Sequence, residues 1–198
     1  SSTVPCATVD RQLAREPIVG SMAVLCLGNV EVEGHPVNAN AFVQIGGDRI
    51  GPEVVEGRAP RRADEIVLGR DAIDAVGKGI GDSVRVQGNG RSRHFQIVGR
   101  AVFPSVTDAV PLSDGATFTG RGLRALGAAN DGYLVFRFAP GVDRAHAVRR
   151  LSSVSVGPFP LIAPTVPAEV DRLRQVDFLV PVLGGFVALV AVNAIGYT

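Results

Sequence analysis

The sequence predicts an α+β fold, with mixed and antiparallel short strands, a few helices and then a C-terminal transmembrane helix. Short apolar runs alternate with Gly, Pro, Asn and Asp, the residues that form turns. The 24 Gly and 13 Pro among 198 residues also indicate many turns. The last 21 residues carry no charge. We therefore expect an α+β body over 1–166, a stalk helix over 167–177 and a transmembrane helix over 178–198.

About eight strands are predicted in the body, from runs that are either continuously apolar or alternate in polarity. Gly88-Asn89-Gly90 supplies the positive φ angles of a tight hairpin turn between two of them. The predicted strand segments are Met22–Leu27, Val30–Val32, Ala41–Ile45, Ile66–Leu68, Val84–Val86, Phe95–Phe103 and Tyr133–Phe138.

Three or four helices are predicted. Arg70–Val76 fits a short helix that ends at Gly77, and Gly122–Leu126 is a second short helix. Val142–Leu151 is expected to be amphipathic. Its inward face is predicted to comprise Val142, Ala145, Val148 and Leu151. Pro167–Val176 is the stalk, and no turn residue separates it from the apolar stretch. We expect the two to form one rod.

The apolar stretch Phe178–Thr198 has the length of a membrane span, since 21 helical residues rise about 31 Å. Gly184, Gly185 and Ala188 give it a small face suited to close helix packing. The alternative is a buried helix of a soluble domain, which is seldom free of charge over such a length. Because the chain starts at Ser1 and stops where this stretch ends, we expect it to be a piece of a longer membrane protein.

Composition excludes two classes of protein. Twenty basic and 19 acidic residues give a formal charge of +1, whereas a nucleic-acid partner requires a concentrated basic face. Hydrophobic residues reach 46%, which is too many for a disordered chain. The mean hydropathy of +0.24 is high for a soluble domain, and the C-terminal stretch accounts for much of it.

No catalytic, cofactor-binding or metal-binding residue is predicted. The three histidines stand in a turn, a strand and a helix surface without ligand spacing, so we expect surface or structural roles for His35, His94 and His146. The sequence has no GxSxG nucleophile elbow and no Walker A phosphate loop. The glycine cluster Gly77–Gly81 precedes a strand and is predicted to be a loop rather than a dinucleotide-binding turn.

Paired acids offer little for catalysis. Neighbours in a strand point to opposite faces, so we expect Asp64, Glu65, Asp71 and Asp74 to be solvated or helix-capping.

The remaining polar motifs are weak. Cys6 and Cys26 allow a disulfide, but Cys26 lies in an apolar run where free cysteine is also common, so this pairing stays open. The basic pairs Arg61-Arg62 and Arg149-Arg150 suggest phosphate or lipid head groups only weakly, because a genomic preference for Arg codons explains them equally well.

Four motifs in order carry a resemblance to a known family. They read EGRxP, ADEIVLG, GDxVxV and a final apolar-Val-Gly, over Glu56–Pro60, Ala63–Gly69, Ile80–Val86 and Ile97–Gly99. This pattern resembles the extracytoplasmic core domain of FtsX/MacB-type ABC transporter permeases, in an actinobacterial style. The segment Val176–Thr198 is similar to the start of the FtsX-like membrane module. The resemblance covers roughly residues 20–198.

The resemblance implies a non-enzymatic transporter subunit in the cell membrane, with residues 1–177 extracytoplasmic. It implies a separate ATPase subunit that binds ATP, a second permease copy or paralogue as dimer partner, and contact with the lipid bilayer. The subunit would couple ATPase-driven motion to export, lipid or lipoprotein handling, or activation of an outer partner. The first membrane helix of the family has no counterpart in 1–20.

Two alternatives belong to other classes. A membrane-anchored binding or adhesion module unrelated to ABC transport would need only one anchor. An enzyme on a small β-rich domain would need a mutually supporting nucleophile and base, and the sequence supplies none.

Overall fold

The computed structural model describes residues 4–6, 13–103 and 113–154. In these ranges the chain forms nine strands and three α-helices. The strands are β1 Val4–Pro5, β2 Val19–Val32, β3 His35–Gly46, β4 Glu53–Gly57, β5 Glu65–Leu68, β6 Ser83–Gly88, β7 Arg91–Val102, β8 Ala116–Phe118 and β9 Asp131–Phe138. The helices are α1 Arg70–Val76, α2 Gly120–Ala125 and α3 Arg144–Val154.

A long hairpin of β2 and β3 dominates the sheet, which corrects the expectation of uniformly short strands. The two strands have 14 and 12 residues and turn at Glu33 and Gly34, both with positive φ. Such a two-residue turn matches the twist of the strands it joins. The two predicted segments on β2 are one strand, because Gly28 and Asn29 remain paired with β3. A glycine and an asparagine that indicate a turn locally are held extended by the neighbouring strand.

Strand pairing closes a ring. The order β2, β3, β8, β5, β7 is completed by β6, which pairs with both β7 and the end of β2. Strands β1 and β9 extend the sheet beyond the first part of β2, and β4 pairs with β7. The pairs β3–β8 and β5–β7 are parallel, and the others are antiparallel. The mixed, sheet-rich α+β class is therefore confirmed.

Strand β5 is buried on both faces and separates two apolar clusters. Ile66 and Leu68 belong to the large cluster, together with Phe95, Phe118 and Leu123. Val67, on the opposite face, belongs to a small cluster with Val98, Ala101 and Phe103. Because side chains alternate between faces, Glu65 points to the same side as Val67. The Glu65 carboxylate therefore lies on the face of β5 that the small cluster covers, away from the large cluster.

All three described α-helices were predicted from the sequence, but the start of α2 and the buried face of α3 differ from the prediction. α1 spans the predicted residues and ends at Gly77, whose φ is 64°. α2 begins two residues earlier than predicted, at Gly120, because Thr119 caps it. Between Arg144 and Leu151, the part of α3 whose burial the structure describes, the buried residues are Ala147 and Leu151, whereas Ala145 is exposed; Val142 precedes the helix. The predicted face is confirmed at Leu151 and wrong at Ala145, because a repeat of three residues drifts about 60° per step in a helix.

The second predicted hairpin is confirmed. β6 and β7 turn through Asn89 and Gly90, both with positive φ. The loop before β6 contains Gly81, with a φ of 101°. The Gly81 amide donates to the Ile97 carbonyl at 2.8 Å, which joins this loop to β7.

The two cysteines are joined by a disulfide, which settles a pairing that the sequence left open. Their Cα atoms are 5.5 Å apart, and 20 positions separate them in sequence. β1 and β2 pair with opposite edges of β9, so the bridge connects the two strands that flank it.

None of the helices in the described ranges has the length and apolar character needed to cross a bilayer. The predicted stalk over 167–177 and membrane helix over 178–198 lie outside those ranges, and they stay predictions. The boundary at residue 166 is likewise untested.

Gly81→Val is expected to lower the free energy of unfolding by about 2 kcal/mol, because a β-branched residue is strained at a positive φ. The Cβ itself would meet nothing within 4 Å, so conformation alone would be responsible. Thermal melting measures the effect. Gly79→Val is the matched control, since its φ lies outside the positive region and its Cβ would contact only an Asp82 oxygen at 3.9 Å. Equal melting temperatures for Gly81→Val and the parent chain would contradict the expectation.

Reduction of the disulfide is expected to cost about 3 kcal/mol of stability, the value for closing a loop of this size. Urea unfolding with and without reductant measures it, and the Cys6→Ala/Cys26→Ala chain should show no response to reductant. Alkylation of both thiols in the unreduced native chain would show that the bridge is absent.

Candidate functional site

The best-organised polar centre is built around Glu65 at the start of β5, whose side chain is only 1% exposed. Both terminal nitrogens of Arg58 donate hydrogen bonds to this carboxylate, Nη1 to Oε2 at 2.8 Å and Nη2 to Oε1 at 2.7 Å. The Nε of Arg62 lies 3.0 Å from the Oε1 of Glu65. Two-pronged pairing of this kind combines charge with fixed geometry.

Backbone groups complete the pairing of Glu65. The amides of Arg61 and Arg62 donate to Oε2 at 2.7 and 3.1 Å. The Arg58 hydrogen bonds, helped by these amides, hold the pKa of Glu65 well below its ordinary value of 4.5, although burial opposes the shift. The carboxylate therefore fixes the loop 58–64 and has no proton to exchange at neutral pH.

This pairing corrects the expectation for the paired acids. Asp64 is solvated as predicted, with 66% of its side chain exposed, but Glu65 is buried and ion-paired. The burial of Glu65 was not predicted because strand alternation determines which face a residue takes and not what covers that face. A signal did exist, because Arg58 is the third residue of the EGRxP motif and Glu65 the third residue of the ADEIVLG motif.

The anchored loop lies against helix α2. The Thr119 hydroxyl accepts from the Gly122 amide at 3.1 Å and donates to the Arg62 carbonyl at 3.3 Å. A Cβ at Gly122 would come within 2.8 Å of the Ala63 carbonyl oxygen, so only glycine allows this approach. The backbones of loop and helix are thereby fixed relative to each other.

A cleft of about 590 Å³ opens where the loop, α2 and β3 meet. We call it the arginine cleft because four of its lining residues are Arg61, Arg62, Arg121 and Arg124. Phe42 and Val43, both half-buried on β3, supply its apolar wall. None of its lining residues in the described part of the chain is acidic.

The charge of the arginine cleft is only partly compensated. Arg62 pairs with Glu65 and, at 3.5 Å, with Asp64. Among the residues that the structure describes, no ion pair engages the Arg61, Arg121 or Arg124 side chains. Chemically, the cleft can bind an anion.

The other polar candidates are dispersed. His35, His94 and His146 are all exposed, as predicted. No three His, Cys, Asp or Glu side chains in the described ranges are grouped to hold a metal ion. The prediction that the chain has no catalytic, cofactor or metal residue stays a prediction.

The remaining acids have local partners. Asp71 accepts from the Ser113 hydroxyl at 2.6 Å, and Asp74 lies 3.6 Å from the Arg70 guanidinium. Both are exposed, in agreement with the predicted solvated roles.

The glycine cluster over 77–81 is a loop, as predicted, and it braces the first hairpin. The Lys78 ammonium donates to Glu33 Oε1 at 2.8 Å and to the Ser83 carbonyl at 2.7 Å. The hydrogen bond from the Lys78 ammonium and a second one, which the Arg85 amide donates to the same Glu33 oxygen, lower the pKa of Glu33. The loop thus holds the hairpin turn in place.

Solved structures resemble this fold. The periplasmic region of MacB from Actinobacillus actinomycetemcomitans aligns at a TM-score of 0.52 and 15% identity, covering 72% of this chain and 69% of that chain. The extracellular domain of the noncanonic ABC-type transporter YknZ from Gram-positive bacteria aligns at 0.52 and 13%, covering 77% and 84%. A domain of a putative permease from Porphyromonas gingivalis aligns at 0.50 and 13%, covering 88% and 87%.

No family model matches the sequence, and neither does any curated protein. The likeness to MacB and YknZ is therefore one of fold, at identities of 13–15%. The expectation of a MacB-type ectodomain fold, drawn from the four sequence motifs, is confirmed.

Glu65→Gln is expected to lower the free energy of unfolding at pH 7 by about 2–3 kcal/mol. This is less than for a fully buried ion pair, because the Arg58 side chain is 42% exposed. Since the folded-state pKa is depressed, the carboxylate stabilises the fold fully above about pH 4.5 and progressively less as pH falls towards the folded pKa. The difference between variant and parent should therefore shrink on acidification, as measured by urea unfolding between pH 7 and pH 3.

Asp64→Asn is the matched control, because it changes the same charge at an exposed neighbour and should cost less than about 0.5 kcal/mol. A Glu65→Gln effect no larger than that of Asp64→Asn would disprove the anchoring role.

Proposed function

We propose that this chain is the extracytoplasmic domain, with its adjoining membrane helix, of an ABC transporter permease subunit. The observation that carries the proposal is the fold it shares with the MacB and YknZ ectodomains. In this proposal the subunit couples ATPase-driven motion to export, to lipid or lipoprotein handling, or to activation of an outer partner. The role is mechanical and not enzymatic.

Two observations support an extracytoplasmic position of residues 1–177 at the cell membrane. The related solved domains are described as periplasmic or extracellular. The Cys6–Cys26 disulfide also fits an oxidising compartment, since such bridges persist outside the cytosol. In this proposal residues 178–198 form the membrane helix, because their apolar length is that of a membrane span.

Mechanical coupling requires a stiff body and a stiff connection. The closed ring of strands supplies the first, because every strand in it is paired on both edges. A continuous helix from Pro167 through the membrane would supply the second, since a rod transmits a displacement that a flexible linker would absorb. ATP would bind to a separate ATPase subunit, and a second permease copy or paralogue would complete the dimer.

A flexible insertion tests the coupling. Seven Gly/Ser residues placed after Asp177 in the full permease, assembled with its ATPase, should leave the ectodomain folded and uncouple it from ATP hydrolysis. The matched control inserts seven strongly helix-forming residues, which add about two helical turns and preserve both rod and facing direction. Nitroxide labels at position 93 of both permease copies report the distance between ectodomains, because Arg93 is exposed on β7.

We expect trapping with ATP and vanadate to change that distance in the parent and in the helical insertion, but not in the Gly/Ser insertion. A change in all three would refute the rigid rod. No change in the parent would refute the coupling, and would favour a membrane-anchored binding module not linked to an ATPase.

A further inference from the structure

The arginine cleft has features of a ligand site that its role in folding does not explain. Glu65 needs only Arg58, the Nε of Arg62 and two loop amides to hold the loop. Arg121 and Arg124 take no part in that anchor. Both project from α2 into the cleft lining, where they add positive charge beside Arg61 and Arg62.

The cleft is kept open by its backbone. A Cβ at Gly120 would come within 2.8 Å of a Val43 methyl and within 3.3 Å of the Arg124 Nη1. Glycine at this position therefore leaves room between the apolar wall and the guanidinium. Since the walls are fixed through Thr119 and Gly122, a ligand would meet a frame that is already formed, and only the arginine side chains would need to be ordered.

The chemistry of the lining points to an organic phosphate. Guanidinium groups match phosphate oxygens in geometry and keep their charge at every physiological pH. The volume of about 590 Å³ exceeds that of a single small ion and lies in the range of small-molecule sites. Val43, whose methyl lies beside Gly120, offers an apolar surface to the organic part of such a ligand.

We propose that the arginine cleft binds a phosphate group carried on an organic molecule, either a lipid head group or a soluble phosphate ester. The phosphate would lie among Arg61, Arg121 and Arg124, with Arg62 shared with the carboxylates beside it. This site is independent of the coupling role proposed above, because it needs only the folded body.

Titration of the 198-residue chain in a non-ionic detergent tests the proposal. The soluble probe is glycerol 1-phosphate, and the lipid probe is dihexanoylphosphatidylglycerol below its micelle concentration, with dihexanoylphosphatidylcholine as its zwitterionic counterpart. Calorimetry gives the affinity, and amide resonances of Thr119 and Gly120 give the location. We expect at least one phosphate probe to shift these resonances, with the phosphatidylcholine counterpart bound at least tenfold more weakly than phosphatidylglycerol.

The paired variants Arg121→Gln/Arg124→Gln and Arg93→Gln/Arg137→Gln separate a site from diffuse charge. Each removes two exposed arginines, but only the first pair lines the cleft. We expect a loss of at least tenfold in affinity for the first and less than twofold for the second. Arg121→Lys/Arg124→Lys keeps the charge but removes the two-pronged guanidinium geometry. Its affinity should therefore fall between those of the two Gln variants.

The source of the phosphate follows from which probe binds. Binding of glycerol 1-phosphate supports a soluble ester as a sufficient ligand, and binding of the lipid probe alone supports a head group. The proposal is overturned if neither probe shifts the cleft resonances, or if both Gln variants weaken binding equally. It is also overturned if a hexaglutamate peptide binds more tightly than either phosphate probe, since that result would assign the cleft to an acidic protein segment.

Discussion

Strand β2 is the constraint on which the rest of the fold depends, because it pairs along one edge with two different partners. Its first part pairs with β9, and its last two residues pair with β6. Between them, at Gly28, a Cβ would overlap the Ala128 carbonyl, so the chain leaving α2 can pass close to β2 only over a glycine. The other edge is paired with β3 from Met22 to Val32. One strand thereby extends the sheet through β9 and closes the ring through β6.

The closed ring explains why a single buried carboxylate can organise a surface. β5 lies inside the ring path with both faces covered, so a charge at its first residue must be paired where it stands. Arg58 and the loop amides meet that requirement, and the loop then has one position. Because α2 contacts this loop through Gly122, the position of the helix follows. The arginine cleft is the surface that results.

The two proposals place different demands on one body. Coupling to an ATPase needs a domain that moves as a unit, which the ring of paired strands and the Cys6–Cys26 disulfide favour. Ligand binding needs a local site whose frame is formed in advance, which the Glu65 anchor favours. A stiff body that carries a fixed anion site could present a phosphate ligand while it is displaced. The structures of MacB and YknZ share the fold, and at 13–15% identity they say nothing of such a ligand.

The parts of the fold that depend on neighbouring residues in the chain could be predicted from the sequence. The turn at Asn89 and Gly90, helix α1 with its Gly77 end, and strand β9 followed from residue conformational preferences and periodicity. Order and spacing of four motifs were enough to indicate the MacB-type ectodomain fold. The predicted inward face of α3 was right at Leu151 and wrong at Ala145, because a three-residue repeat does not keep to one side of a helix.

What only the tertiary structure decided was the pairing of distant groups. The continuity of β2 through Gly28 and Asn29, the Cys6–Cys26 bridge and the burial of Glu65 each depend on a partner from another segment. The arginine cleft shows the same limit. Arg61 and Arg62 are adjacent in sequence, but Arg121 and Arg124 join them only because α2 packs on the loop. Local preferences determined the turn at Asn89 and Gly90, helix α1 and strand β9. Its charged centre was decided by which chain segments the closed sheet brings together, since charge acts through space and not along the sequence.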